Sequence, residues 1–129
     1  MPILVDSCIY ISHLKRGIDF RQLLVPALRA GQLYNCGVVR AEVLRGIREQ
    51  TFYDEVAAFF DIIPEVPTDA KIWRQVSQLA WQAARNGFAP PTTDFVIAAC
   101  AMCVRATVIT LDQHFGQIPG VTVSANLPE

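Results

Sequence analysis

Four acids stand where solubility alone does not explain them. Asp6 ends the apolar run Ile3-Leu4-Val5, and Glu42 borders the apolar face of an amphipathic stretch that follows a second short run. Asp94 opens the apolar segment Phe95–Val104, and Asp112 closes the β-rich run Ala106–Leu111, eighteen residues further on. In a parallel sheet, ligands collect at the carboxyl ends of the strands, and all four acids can converge on such an end. Left alone, carboxylates gathered there repel one another and some have raised pKa values. A hard divalent cation relieves this, because Mg²⁺ and Mn²⁺ favour oxygen ligands and keep open water positions. A water activated by the metal and aligned with a phosphodiester is then a nucleophile.

Each acid also has a plainer reading. Asp6 can be a strand-ending turn residue, Asp94 a first-turn helix acid favoured by the dipole, and Asp112 a turn former before Gln113. Glu42 can pair with Arg45 three residues on, worth a few tenths of a kcal/mol. It is the joint placement at one sheet end that favours a site. Asp61, Glu65 and Asp69 lack that placement and read as surface or capping residues.

The elements that must position these acids alternate. Pro2–Val5 reads as a central strand covered on both faces, and Ser7 as the cap of a helix through about Leu14, closed by Lys15-Arg16-Gly17. A helix over 19–29, ended by Gly31, leads to a strand at 33–36. The spacing of Val39, Val43, Leu44 and Ile47 predicts a helix over 38–50 with Glu42 half-buried at its border and Gly46 inside it. Residues 54–60 read as a short helix, and 61–67, with two prolines, as an edge strand. Thr68 caps a helix over 69–86 ended by Asn86-Gly87. Thr92-Thr93 cap a helix over 94–104, strands follow at 106–111 and 121–123, and a loop joins them. This is an α/β chain: an α/β/α sandwich around a mainly parallel sheet of four to five strands, read as one domain over 1–129.

Composition sets further bounds. The 129 residues are 52% hydrophobic with a mean hydropathy of +0.29, which implies strands buried on both faces or an apolar surface kept for a partner. The longest apolar run is half the roughly 20 residues a bilayer helix needs. With no basic, apolar leader, the chain reads as cytoplasmic. The four cysteines lack zinc-site spacing and read as buried thiols. The net charge of −1 covers 12 acids and 11 bases. Setting four acids aside for metal leaves eight acids against eleven bases, a balance compatible with a nucleic-acid partner.

Four segments carry a family resemblance: Ile3-Leu-Val-Asp6-Ser7, Ala41-Glu42-Val-Leu-Arg45-Gly46, Asp94-Phe-Val-Ile-Ala-Ala99 and Val108-Ile-Thr110-Leu-Asp112-Gln-His-Phe115. In this order they resemble the motifs of PIN-domain ribonucleases, and most nearly the VapC toxins of toxin–antitoxin pairs. The resemblance spans nearly the whole chain. It implies a metal-dependent endoribonuclease in which Asp6, Asp94 and Asp112 bind Mg²⁺ or Mn²⁺ and Glu42 ligates or orients the nucleophilic water. The implied products are a 5′-phosphate and a 3′-hydroxyl. Thr110 matches a hydroxyl that supports the acids, and Ser7 has the same part. Ser7-Cys8 departs from the Thr-Ser or Thr-Asn of many relatives, and Val43 from a frequent Leu.

The implied partners are an RNA substrate, a VapB-like antitoxin and, given the apolar content, a second copy in a homodimer. Arg45 is the candidate RNA contact beside Glu42, with a surface ion pair as its alternative. Trp73 and Trp81 are of the type that stacks bases, although packing in the core or a dimer is the favoured reading. Two other functions compete. One is an RNA- or protein-binding module of the same fold without catalysis. The other is a phosphohydrolase of DxD type, disfavoured because Cys8 stands two residues after Asp6.

Overall fold

All three residues of β1 (Ile3–Val5) are fully buried, as a strand covered on both faces requires. In the computed structural model, which describes residues 1–128, β1 is the centre of a five-stranded sheet. It pairs in parallel with β2 (Leu33–Cys36) and β4 (Thr107–Ile109). The short β3 (Glu65–Val66) joins β2 and β5 (Thr122–Ser124) joins β4, also in parallel. The order is β3-β2-β1-β4-β5. The described helices are α1 (Ser7–Lys15), α2 (Phe20–Arg29), α3 (Gly37–Leu44), α4 (Gln50–Ile62), α5 (Ala70–Arg85) and α6 (Thr92–Cys103), with a 3₁₀ helix at Gln113–Gln117. The architecture is the α/β/α arrangement expected, with β3 at the edge where its prolines belong.

That strand order positions the site. From β1 the chain moves to one side, to β2 and β3, and then returns to β4 on the other side of β1. Right-handed crossovers place such connections on opposite faces, so a crevice opens at the carboxyl ends of β1 and β4. Asp6 is the residue after β1, and Thr110 the residue after β4.

α6 carries the heaviest burial: Phe95 through Ala101 are all buried, seven in a row and so on every side of the helix. A second apolar centre is aromatic, with the Tyr10 ring edge-on to Phe20 at 4.9 Å and to Phe60 at 5.2 Å. Such pairs add about 1 kcal/mol each beyond burial.

Several boundaries differ from the sequence reading. The helix expected over 38–50 stops at Leu44, and Gly46 lies in the turn beyond it. Glycine's low helix propensity ends the element there. α4 then begins at Gln50 and runs through Ile62, taking in residues assigned to the edge strand and shrinking that strand to two residues. The caps also move. Asp69, not Thr68, caps α5 by accepting from the Ile72 amide at 3.0 Å. Asp6, not Ser7, stands at the N-cap of α1. α6 starts at Thr92, so the two threonines form its first turn instead of capping it, and Asp94 lies within that turn.

The cysteines and tryptophans need correction too. Cys36 and Cys100 are buried, Cys8 is half-buried and Cys103 is exposed, so burial does not explain all four. Trp73 and Trp81 are 47% and 61% exposed, which removes the core alternative for them and leaves that of packing in a dimer. They occupy the outer side of α5, whose Ile72, Val76 and Ala83 face inward.

Candidate active site

The site forms outward from Asp6, because local structure leaves that side chain little freedom. Its backbone amide donates to the Ile109 carbonyl at 2.9 Å, extending the pairing of β1 with β4 by one residue. The residue as a whole is 95% shielded from solvent. Oδ1 accepts from the Ser7 amide at 2.8 Å, and Oδ2 accepts from the Thr110 hydroxyl at 2.7 Å. The distance to Thr110 is in the short range of a hydroxyl donating to an ionised oxygen. Cys8 Sγ also lies 3.2 Å from Oδ2 and 3.3 Å from Thr110 Oγ1. Burial chiefly, with Asp6 nearby, pushes the Cys8 thiol up, so it stays protonated and donates.

Ser7 ties the second acid to the first. Its hydroxyl donates to Glu42 Oε1 at 3.0 Å, from α1 across to α3. Glu42 is half-buried, as its place on the helix wheel predicted, and Oε1 is thereby directed toward the end of β1. Thr110 ties the fourth acid in the same way, for its oxygen accepts from the Asp112 amide at 3.0 Å. Asp112 then caps the 3₁₀ helix, accepting from the His114 amide at 2.9 Å, and its Oδ1 lies 3.2 Å from His114 Nδ1. Thr110 and Ser7 are thus brought to the acids. His114 joins them through Asp112, and its ring lies against Phe88 at 5.9 Å.

Asp94 completes the set electrostatically. Burial, then the charges of Asp112, Asp6 and Glu42, raise its pKa to about 6, with His114 partly offsetting them. That ordering places all four acids within electrostatic reach of one point. No Lys or Arg forms an ion pair with any of the four among the described residues. As the side chains stand, no three His, Cys, Asp or Glu groups among the described residues converge closely enough to enclose a metal ion. The two observations agree physically, because Coulomb repulsion extends well beyond ligation distance. In chemistry, the donor set fits a hard cation: it is all oxygen, unpaired with Lys or Arg among the described residues, and partly preorganised by hydrogen bonds.

Arg45 stands exposed at the C-cap of α3, without an ion pair to Glu42. With Arg40, Tyr53 and Leu44 it lines a shallow concavity. Arg40 itself is engaged by Asp61 at 2.8 Å. Cys8 is the site residue that sequence reasoning missed. It was read as a packing thiol, and its position two residues after Asp6, on the first turn of α1, was the available signal.

The PIN-domain family model matches residues 3–121. No curated protein matches the chain in sequence. Among solved structures, the chain is similar to VapBC2 from Rickettsia felis, crystallised with a promoter DNA fragment, at 18% identity and a TM-score of 0.80. That match covers 96% of this chain and 98% of the other. VapBC from Salmonella typhimurium bound to DNA follows at 17% identity and a TM-score of 0.75, covering 96% and 97%. FitAcB from Neisseria gonorrhoeae is similar at 20% identity and a TM-score of 0.67, covering 94% and 95%. At these identities the likeness is one of fold.

Proposed function

The chain belongs to the PIN-domain family, and from that premise we propose that it is a Mg²⁺- or Mn²⁺-dependent endoribonuclease, the toxin of a toxin–antitoxin pair. One observation carries this reading: at the switch point of a parallel sheet, Asp94 feels the charges of Asp6, Glu42 and Asp112, and no Lys or Arg pairs with any of the four among the described residues. Asp6, Asp94, Asp112 and Glu42 would hold the cation. When bound, it supplies positive charge to a scissile phosphate and to an attacking water.

The chain's own residues then have distinct parts. Asp6, held on both oxygens by Ser7, Thr110 and Cys8, is the fixed reference of the site. Glu42 uses one oxygen for Ser7 and keeps the other to orient the water and accept its proton. Asp94 and Asp112, both half-exposed, face the substrate side and adjust to it. In the hydrolysis, a water oxygen bonds to phosphorus and the bond from phosphorus to the 3′ oxygen breaks. The water's proton passes to a carboxylate and a proton reaches the departing 3′ oxygen, leaving a 5′-phosphate and a 3′-hydroxyl. Arg45, on the same helix as Glu42, is the proposed phosphate contact.

Support for an antitoxin partner comes from the neighbours, several of which are VapBC complexes. A VapB-like protein is the proposed partner and a homodimer the proposed assembly. No described helix is long and apolar enough to cross a membrane. A second reading, a binding module without catalysis, draws support from the open spacing of the acids. The deciding experiment is cleavage of total RNA with Mg²⁺ or Mn²⁺, wild type against Asp94→Asn, with the ends mapped. Metal-dependent cutting lost in the variant supports the nuclease. Equal cutting by both proteins, or cutting that survives EDTA, refutes it.

A further inference from the structure

Beside the acids, the surface changes character. His114, in contact with Asp112, packs its ring against Phe88. Phe88 in turn lines a concavity of about 390 Å³ shared with Trp81, Gln82, Arg85, Asn86 and Gln117. This size lies within the range of small-ligand clefts, roughly 300–1,000 Å³. Arg85 stacks over the Trp81 ring, its Cζ 5.1 Å from the centroid. Trp81 is 61% exposed, so the pair forms a shelf at the surface instead of a core contact.

The chemistry of this shelf is selective. α5 carries Lys71, Arg74 and Arg85 and has no acid between Ala70 and Arg85. No acid lines the concavity either, although the neighbouring site is acidic. Besides Arg85, its polar lining includes the side-chain amides of Gln82, Asn86 and Gln117, which donate to and accept from base edges. A flat aromatic face, a guanidinium, several amides and no carboxylate match an unstacked base with its phosphate. The helix C-cap that holds the shelf is specific. α5 ends at Arg85 with Asn86 as its cap, and Gly87 adopts φ +76°, which lets the Phe88 amide return to the Ala83 carbonyl at 2.9 Å. That turn places Phe88 between the Trp81 shelf and His114.

We propose that Trp81, Arg85 and Phe88 form a single-strand RNA subsite, continuous through His114 with the acidic centre, that stacks a nucleotide flanking the cleaved bond. The proposal rests on the nuclease reading for its substrate, and it makes single-stranded segments the preferred class. In a duplex, the bases are already stacked on one another and present no free face to Trp81.

The test separates the two readings by measuring binding apart from cleavage. Fluorescein-labelled single strands of roughly 12 and about three nucleotides, and a duplex, are titrated by anisotropy in EDTA. The protein is Asp94→Asn, alone or combined with Trp81→Ala, Trp81→Phe or Arg85→Ala. Trp81→Ala should weaken binding of the long single strand about 10-fold, with Trp81→Phe close to the parent and the shortest strand unaffected. Arg85→Ala should also weaken it and reduce the salt slope by about 0.7. With cleavage intact at Asp94, Trp81→Ala should raise KM on long strands and leave kcat unchanged. Unchanged affinity in both Trp81→Ala and Arg85→Ala overturns the subsite, even where metal-dependent cleavage stands. So does a shift from dimer to monomer in Trp81→Ala with RNA affinity retained, because the shelf then serves a second copy of the chain. Stacking-dependent binding by a protein that cuts no RNA sustains the subsite and refutes the nuclease.

Discussion

Replacing Asp94 by Asn should stabilise the metal-free protein while removing its activity. Burial and three neighbouring carboxylates raise the Asp94 pKa from 3.8 to about 6. A rise of that size corresponds to roughly 3 kcal/mol of destabilisation of the ionised form, were it wholly unscreened. Asp94 is half-exposed, and solvent screening reduces this to about 1.5 kcal/mol. The dipole of α6 favours the charge and takes back about 0.5 kcal/mol. Asn keeps the size, loses the charge and sacrifices no side-chain hydrogen bond seen among the described residues. The net gain is about 1 kcal/mol, or about 4 °C in Tm for a chain of this length. The sign follows from linkage. A carboxyl with a raised folded pKa contributes stability that is full below its unfolded value and lost as pH rises through about 6. The variant's advantage is therefore small near pH 4 and complete by pH 8. Thermal unfolding in EDTA across that range, followed by circular dichroism, measures it. Adding Mg²⁺ or Mn²⁺ at pH 8 should then raise the Tm of the wild type more than that of Asp94→Asn. A variant no more stable than wild type at pH 8, or equally favoured at pH 4, would refute the crowding of acids at this point.

Other perturbations probe single links. Thr110→Val removes the hydroxyl between Asp6 and the Asp112 amide, and should lower RNA cleavage about 10- to 100-fold with little change in shape. Ser7→Ala frees Glu42 Oε1 and should reduce cleavage about 10-fold, read as a fall in kcat. Chelation should abolish cleavage, and Mn²⁺ should restore it in wild type but not in Asp112→Asn. Arg105 closes α6 at φ 55°, a left-handed position where the Ala106 amide turns back to Ala101 at 2.8 Å. Arg105→Gly should therefore gain about 1 kcal/mol of stability, visible as a higher urea midpoint.

Much of the architecture was written in local pattern. Ile3-Leu-Val and Thr107-Val-Ile are runs of β-formers too short and too apolar to be anything but buried strands, and the sheet uses them as its centre. Gly17, Gly31 and Gly87 end helices where the sequence places them, because only a left-handed residue closes those turns readily. Where local signals competed, the sequence misled. Val39 to Ile47 keeps helical spacing past Leu44, yet the chain turns at Gly46 and Ile47 packs from the loop instead. The threonines at 68, 92 and 93 are good caps in isolation, but Asp69 caps one helix and the other begins two residues earlier than expected.

By itself the sequence determined which residue types were available for the site, their order, and the parallel α/β frame that brings strand ends together, because periodicity and turn chemistry are local properties. The tertiary structure decided everything that depends on atoms from distant segments meeting. It turned Asp6 into a helix cap held by Thr110 from 104 residues away. It joined Ser7 to Glu42 across 35 residues and brought Cys8 from presumed packing to the edge of the acids. It also turned Trp81 from a core candidate into an exposed shelf beside His114 and Phe88. Hydrogen-bond direction and exposure are set by the partner's position in space, and no spacing along the chain encodes that position.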